Sequence, residues 1–420
     1  GFAATSDPSP AAAEASLARA LAAAEAQPTV PDPAPLVPAP PARGEWTGPC
    51  ERDPFAVGVE AKLGLLLAAE RALLGDPRIV RTGAECLSER STRAFASTDG
   101  AACTQTRTEC GAGLFAVAMA GDELQVRSYP AQHGGSLRAA GWEHVEGLDL
   151  AGEAPRVAEE AVALVAAPPC PSGVTTVVLD GEQVALQLHE SVGHALELDR
   201  ILGAEASYAG TSWVAAGDLG TLRYGSEAMN VTADATLAGG LGSFGWDDEG
   251  VAAQELPLIG NGVLLAALSS RESAAQIGLP ASGGCARADG YGRQPIVRMT
   301  NVSLDAGTGG SLEELVADVE EGLYLETNRS WSIDDRRLNF QFATEVGREI
   351  RNGRLGRLVR NPSYAGITPR FWGGLDAVGG PQAWCLHGVS NCGKGEPGQL
   401  MRVSHGASPA RFRQVQVGVA

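Results

Sequence analysis

The stretch His189-Glu190-Ser191-Val192-Gly193-His194 constrains this chain more than any other. It places two of only six histidines five residues apart, with a glutamate directly after the first. Neutral imidazoles are good zinc ligands, and an adjacent carboxylate can serve as general base toward a water activated by the metal. The familiar zinc-protease spacing is H-E-x-x-H. At about 100° per residue, its two histidines stand about 40° apart on a helix. An offset of five gives about 140°, too wide for both rings to reach one ion from a regular helix. The backbone must therefore break, kink or form a π-bulge between them. Gly193, just before the second histidine, is the position where a distortion meets least steric resistance.

The flanking residues set this motif in a strand–turn–helix unit. Residues 174–179 (Val-Thr-Thr-Val-Val-Leu) predict a buried strand, Asp180-Gly181 a turn, and 182–198 an apolar-rich helix kinked near Gly193. A catalytic zinc takes three protein ligands and keeps one position open. Candidates for the third are His133, His144, His387, His405, the cysteines and the carboxylates. Cys392 is favoured, in the run Asn391-Cys392-Gly393-Lys394, because glycine permits close backbone approach and a nearby cation favours thiolate. Cys385 and His387 are its competitors. Glu197 and Asp199, about one helical turn beyond His194, are candidate acceptors that orient the imidazoles. Tyr324 is a candidate donor to an oxyanion, or else a packing residue in a strand. The charged run 331–337 predicts a solvated loop at the cleft rim.

Taken together, these segments resemble the TldD/PmbA family, in its TldD-type form. The resemblance rests on 189–199 (HESVGHALELD), on Gly210-Thr211-Ser212, on 291–301 (YGRQPIVRMTN), on Gly322-Leu323-Tyr324, on 340–353 (FQFATEVGREIRNG) and on Asn391-Cys392-Gly393-Lys394, in that order. It covers about residues 170–420. The opening Gly1-Phe2-Ala3-Ala4-Thr5-Ser6-Asp7 resembles a segment that lies well inside family chains, so the chain is expected to begin within the family's N-terminal region.

The resemblance implies a cytoplasmic zinc metallopeptidase that degrades unfolded or short peptides and trims peptide precursors. His189, His194 and Cys392 would then bind Zn2+, and Glu190 would be the base. It also implies a heterodimer with a homologous TldE/PmbA-type subunit that lacks the metal motif. Two other readings stay open: a non-hydrolytic binding or regulatory subunit, and a zinc amidase acting on small molecules.

Composition narrows the alternatives. A formal charge of −18 argues against non-specific nucleic-acid binding. No run approaches the roughly 20 apolar residues that span a bilayer. The eight cysteines include no C-x-x-C pair, so free thiols are expected, with Cys103–Cys110 and Cys385–Cys392 as the conceivable pairings.

The expected architecture is α+β, a mixed helix and antiparallel-sheet N-terminal part followed by a strand-rich catalytic domain carrying the kinked helix. The expected divisions are 1–46 (end of an N-terminal region and a Pro-rich linker), 47–167 (a middle α/β domain) and 168–420 (the metallopeptidase domain). Helices are expected at 11–27, 55–74, 156–166 and 312–321. An extended linker is expected at 28–43, and several short antiparallel strands over 79–129, with turns at Asp99-Gly100 and Gly121-Asp122.

Overall fold

The structure is a computed structural model that describes residues 1–26, 35–132, 135–396 and 398–418. The chain is an α+β protein. Its N-terminal helix, Pro10–Glu25, starts where Ser9 Oγ accepts from the Ala12 N–H. Residues 28–34 of the expected linker lie outside the described residues. Residues 35–42 have no regular structure, and 43 already belongs to the first strand.

That strand, Arg43–Thr47, runs parallel to the long strand Ala102–Ala120. Ile79–Ala96, Glu123–Tyr129 and Ser136–Arg138 pair antiparallel with the same long strand. The two turns fall where expected, but the strands are continuous over 18 and 19 residues rather than broken into short runs. Alternation is hard to see because small residues occupy the covered face. Ala112, Ala116 and Ala118 are buried there against Ala154, Val157 and Ala161 of the helix Leu150–Ala166. That helix begins six residues earlier than expected, with Asp149 Oδ1 accepting from the Gly152 N–H. Pro155 in its second turn masks the start from a pattern reading.

The second helix on this face is Val59–Leu73. It buries Ala69 and Leu73 and half-buries Leu65 and Leu66, while Leu63, Leu67 and Leu74 are exposed.

The C-terminal half is built on a seven-stranded sheet. Glu321–Ile333 pairs parallel with Gly173–Leu179, which pairs with Ala410–Val417, then Ser363–Ile367, then Asn339–Arg351. Asn339–Arg351 pairs back onto Glu321–Ile333, so five strands form a closed ring. Closure removes the open edges that short-strand architectures otherwise expose. Two of these strands are 13 residues long. The expected helix at 312–321 ends at Ala317, and Glu321 already starts the next strand.

Leu179 leads directly into the metal-motif helix, Gly181–Leu188, which Asp180 caps by accepting from the Gln183 N–H at 2.8 Å. Its Val184, Ala185 and Leu188 join one core with Phe342, Tyr364 and Phe412 of the ring. A hairpin, Cys385–Lys394 with Gln399–Ala407, lies on the other side of the helix and carries Cys392 and His405. All eight cysteines are free. No helix among the described residues is long and apolar enough to cross a membrane.

Candidate metal centre

The helix does not run unbroken to Leu198. After Leu188 it widens into a π-turn over His189–Gly193, tightens into a 3₁₀ turn over His194–Leu196, and becomes extended at Glu197. The His194 N–H donates to the His189 carbonyl, five residues back. A turn closed at this interval puts residues five apart on one side, as the motif demands. The two imidazoles meet edge to face with centroids 4.8 Å apart.

Side chains take up the backbone groups this widening releases. Ser191 Oγ donates to the Gln187 carbonyl at 2.6 Å, Tyr224 Oη donates to the Ser191 carbonyl at 2.5 Å, and Trp372 Nε1 donates to Ser191 Oγ at 2.9 Å. Gly193 has ordinary helical dihedrals, so conformational freedom is not why glycine stands there. A Cβ at this position would lie 2.1 Å from Met299 Sδ. The requirement is close packing.

His189, His194 and Cys392 come together with one ligand atom each, all within 4.8 Å of one another and all buried. The ring protons are fixed by their partners. His405 Nδ1 lies 2.6 Å from the Val302 carbonyl, which can only accept, so His405 Nε2 carries a lone pair. It accepts from His189 Nδ1 at 2.8 Å. His194 Nδ1 donates to Glu197 Oε2 at 2.9 Å. Both metal-motif histidines therefore keep an unprotonated Nε2. Burial lowers the pKa of His189, which favours the neutral ring a metal needs. His194 Nε2 faces Cys392 Sγ at 3.6 Å. Burial pushes the Cys392 thiol up, but nearby positive charge, the Arg298 guanidinium included, outweighs it and the net shift is downward, toward thiolate. Two imidazole lone pairs and a thiol biased to thiolate are a donor set that fits zinc.

Lys394 is not the cation that acts on Cys392. Its Nζ is buried 2.6 Å from Asp199 Oδ1, with Glu197 Oε2 at 3.4 Å and Glu205 Oε1 at 3.7 Å. Arg298 takes the expected place, donating from Nη2 to the Cys392 carbonyl at 2.5 Å. Glu197 contacts His194 directly. Among the described residues Asp199 makes no hydrogen bond to either imidazole; it accepts from Lys394 Nζ at 2.6 Å and from the Val297 N–H at 3.2 Å. Tyr324 lies elsewhere, packed with Leu315, Val316, Val319 and Ile350 and absent from the cavity lining. Of the rival third ligands, Cys385 is exposed, His387 is half-buried outside the triad, His144 Nε2 is 3.1 Å from Ser136 Oγ, and His133 falls outside the described residues.

The triad opens onto a cavity of about 210 Å³ lined also by Glu190, Leu186, Glu182, Gln132 and Asn328. Glu190 projects into it, held by Trp331 Nε1 on Oε1 at 2.9 Å and by Arg337 Nη1 on Oε2 at 2.5 Å. Burial raises its carboxyl, but the net shift is downward, with the Arg337 guanidinium and the Trp331 N–H stabilising the ionised form. The segment 331–337 is thus not wholly solvated. Asp335 and Arg336 face solvent, while Trp331 and Arg337 turn onto Glu190. Nothing in residue spacing marks these two. His405 figured among the candidate ligands but takes the role of acceptor behind His189.

Known proteins share this arrangement of sequence and fold. Residues 172–419 match the family described as PmbA/TldA metallopeptidase C-terminal domain, and 52–167 match the corresponding central domain. A "Metalloprotease" of Methanothermobacter thermautotrophicus is 33% identical over 87% of this chain and 76% of its own length. A "Zinc metalloprotease TldD homolog" of Saccharolobus solfataricus is 27% identical over 59% of this chain and 52% of its own. The crystal structure of TldE from Thermococcus kodakarensis superimposes with a TM-score of 0.71 at 15% identity, over 99% of this chain and 87% of the other, a likeness of fold alone. With both matched regions adjoining and the first spanning more than half of the sequence, the chain belongs to the TldD/PmbA family of metallopeptidases.

Proposed function

We propose that this chain is a zinc-dependent peptidase that works in the cytoplasm on unfolded or short peptides, with His189, His194 and Cys392 as metal ligands and Glu190 as general base. The reading rests on one observation above all: three buried ligand atoms within 4.8 Å, with both imidazoles held in the tautomer that leaves Nε2 free. Zinc in such a site supplies Lewis acidity toward a carbonyl. Glu190 accepts the proton of the attacking water and returns it to the departing amine. Trp331 and Arg337 fix the direction of that carboxylate. Glu197 and His405 hold the ligand rings, and Lys394 keeps Glu197 ionised.

In this reading residues 47–167 form a middle domain and 168–420 the catalytic domain, after a segment 1–46. A homologous subunit of the TldE type, without the metal motif, pairs with it and helps enclose the cleft. Extended peptides suit such a cleft because main-chain bonds to strands need no particular side chains. The decisive assay is cleavage of a quenched-fluorescent unfolded peptide before and after chelation and zinc return. Activity that survives complete metal removal would refute the reading.

A further inference from the structure

The cavity has a second chemical feature, at the end formed by Glu182, Asn328 and Gln132. Glu182, Leu186 and Glu190 recur every four residues along one helix and all line the cavity. Glu182 Oε2 accepts from the Asn328 backbone N–H at 2.9 Å, and among the described residues the carboxylate has no ion-pair partner. Asn328 is 1% exposed, and its Oδ1 is buried without a hydrogen-bond partner among the described residues. Its orientation is fixed. Gln132 Nε2 donates to the Arg329 carbonyl at 2.8 Å, which turns Gln132 Oε1 toward Asn328 Nδ2 at 2.9 Å and leaves Asn328 Oδ1 as a bare acceptor.

Two further carboxyl groups, Asp180 and Glu326, flank Glu182, and Arg127 behind them is occupied by Glu160, Glu326 and Glu345. Burial and the repulsion from Glu326 push the Glu182 carboxyl up to about 7, although the Asn328 N–H and Arg127 oppose the shift. Ionising Glu182 here, beside a dry carbonyl with no donor, is costly unless a donor of positive charge enters.

We propose that this end of the cavity binds a cationic group of the substrate peptide, a free α-ammonium or a Lys or Arg side chain, between the Glu182 carboxylate and Asn328 Oδ1. The inference rests on the peptidase reading and gives it a substrate class. Seven residues of helix separate Glu182 from His189, about 10 Å along the axis. An extended peptide covers that span in about three residues. Leu186, between the two ends, offers an apolar surface for an aliphatic stem.

The test is equilibrium binding of four fluorescent peptides of one sequence to the zinc-loaded protein, followed by cleavage of the same set. The peptides carry a free or acetylated amino terminus, and Lys or norleucine within three residues of the cut bond. The doubly neutral peptide should bind about tenfold or more weakly than the cationic ones. Which change costs binding identifies the source of the cation. Glu182→Gln should erase the difference. Equal or absent binding of all four by the unaltered protein overturns the inference, and that comparison needs no variant to fold. If all four are cleaved with equal kcat/KM, the cation site falls and the peptidase reading stands. A binding preference without cleavage of any peptide upholds the cation site and sinks the peptidase reading.

Discussion

His405 Nε2 lies 2.8 Å from His189 Nδ1, and its own Nδ1 is tied to the Val302 carbonyl. This relay sets the His189 tautomer from a hairpin more than two hundred residues away in sequence. Removing the acceptor should free the ring to rotate. His405→Ala should therefore weaken metal binding by about 10- to 100-fold, read by competition with a chromogenic chelator. Unchanged affinity would mean the relay does not orient the ligand.

Glu190→Gln should retain metal while turnover falls by about 100-fold or more, because the amide keeps the shape but cannot take a proton. Arg337→Met should lower kcat more than it raises KM, since Arg337 positions Glu190 and has no part in holding the metal. Steady-state kinetics beside metal content separate these outcomes. A Glu190→Gln protein that turns over normally would remove the carboxylate from the mechanism.

The π-turn depends on the absence of a side chain at 193. A Cβ there would meet Met299 Sδ at 2.1 Å. Gly193→Ala should cost about 1–3 kcal/mol, and Met299→Ala in the same chain should return part of it. Denaturant midpoints of the two single variants and the double variant measure the coupling. Additive losses would show that the two sites do not touch.

Glu182 sets a sign for the pH dependence of stability. Its carboxyl is raised from an ordinary value of 4.5 to about 7, chiefly by burial. The native protein therefore holds a proton that the unfolded chain gives up, and the stability this contributes is present below 4.5 and lost as pH rises through about 7. Glu182→Gln cannot lose that proton. Its Tm relative to the unaltered protein should rise between pH 5 and pH 8. A constant gap across that range would contradict the assignment.

The strand–turn–helix unit around His189 was legible because Asp180, the buried strand before it and the periodic apolar residues after it act locally. The need for a distortion between His189 and His194 was legible too, since it follows from helix geometry. Its cause was not. Gly193 avoids Met299, a contact across more than a hundred residues, whereas sequence alone suggested backbone freedom. The same limit governs Lys394. Nearness to Cys392 in sequence suggested an electrostatic role on the thiol, and the two do share the buried face of one strand, but Lys394 is taken up by Glu197, Asp199 and Glu205. Trp331 and Arg337 reach Glu190 only because two paired strands fold back at 334–338, and no spacing rule announces that. Tyr324 looked available as a donor, but its strand turns it into the cluster with Leu315 and Ile350.

The central claim is that His189, His194 and Cys392 hold one catalytic zinc. Zinc per chain, measured by elemental analysis on the purified protein, on Glu190→Gln and on Cys392→Ala, tests it most directly. The expected result is one zinc per chain in the first two and little in the third. Full zinc occupancy in Cys392→Ala would contradict the account.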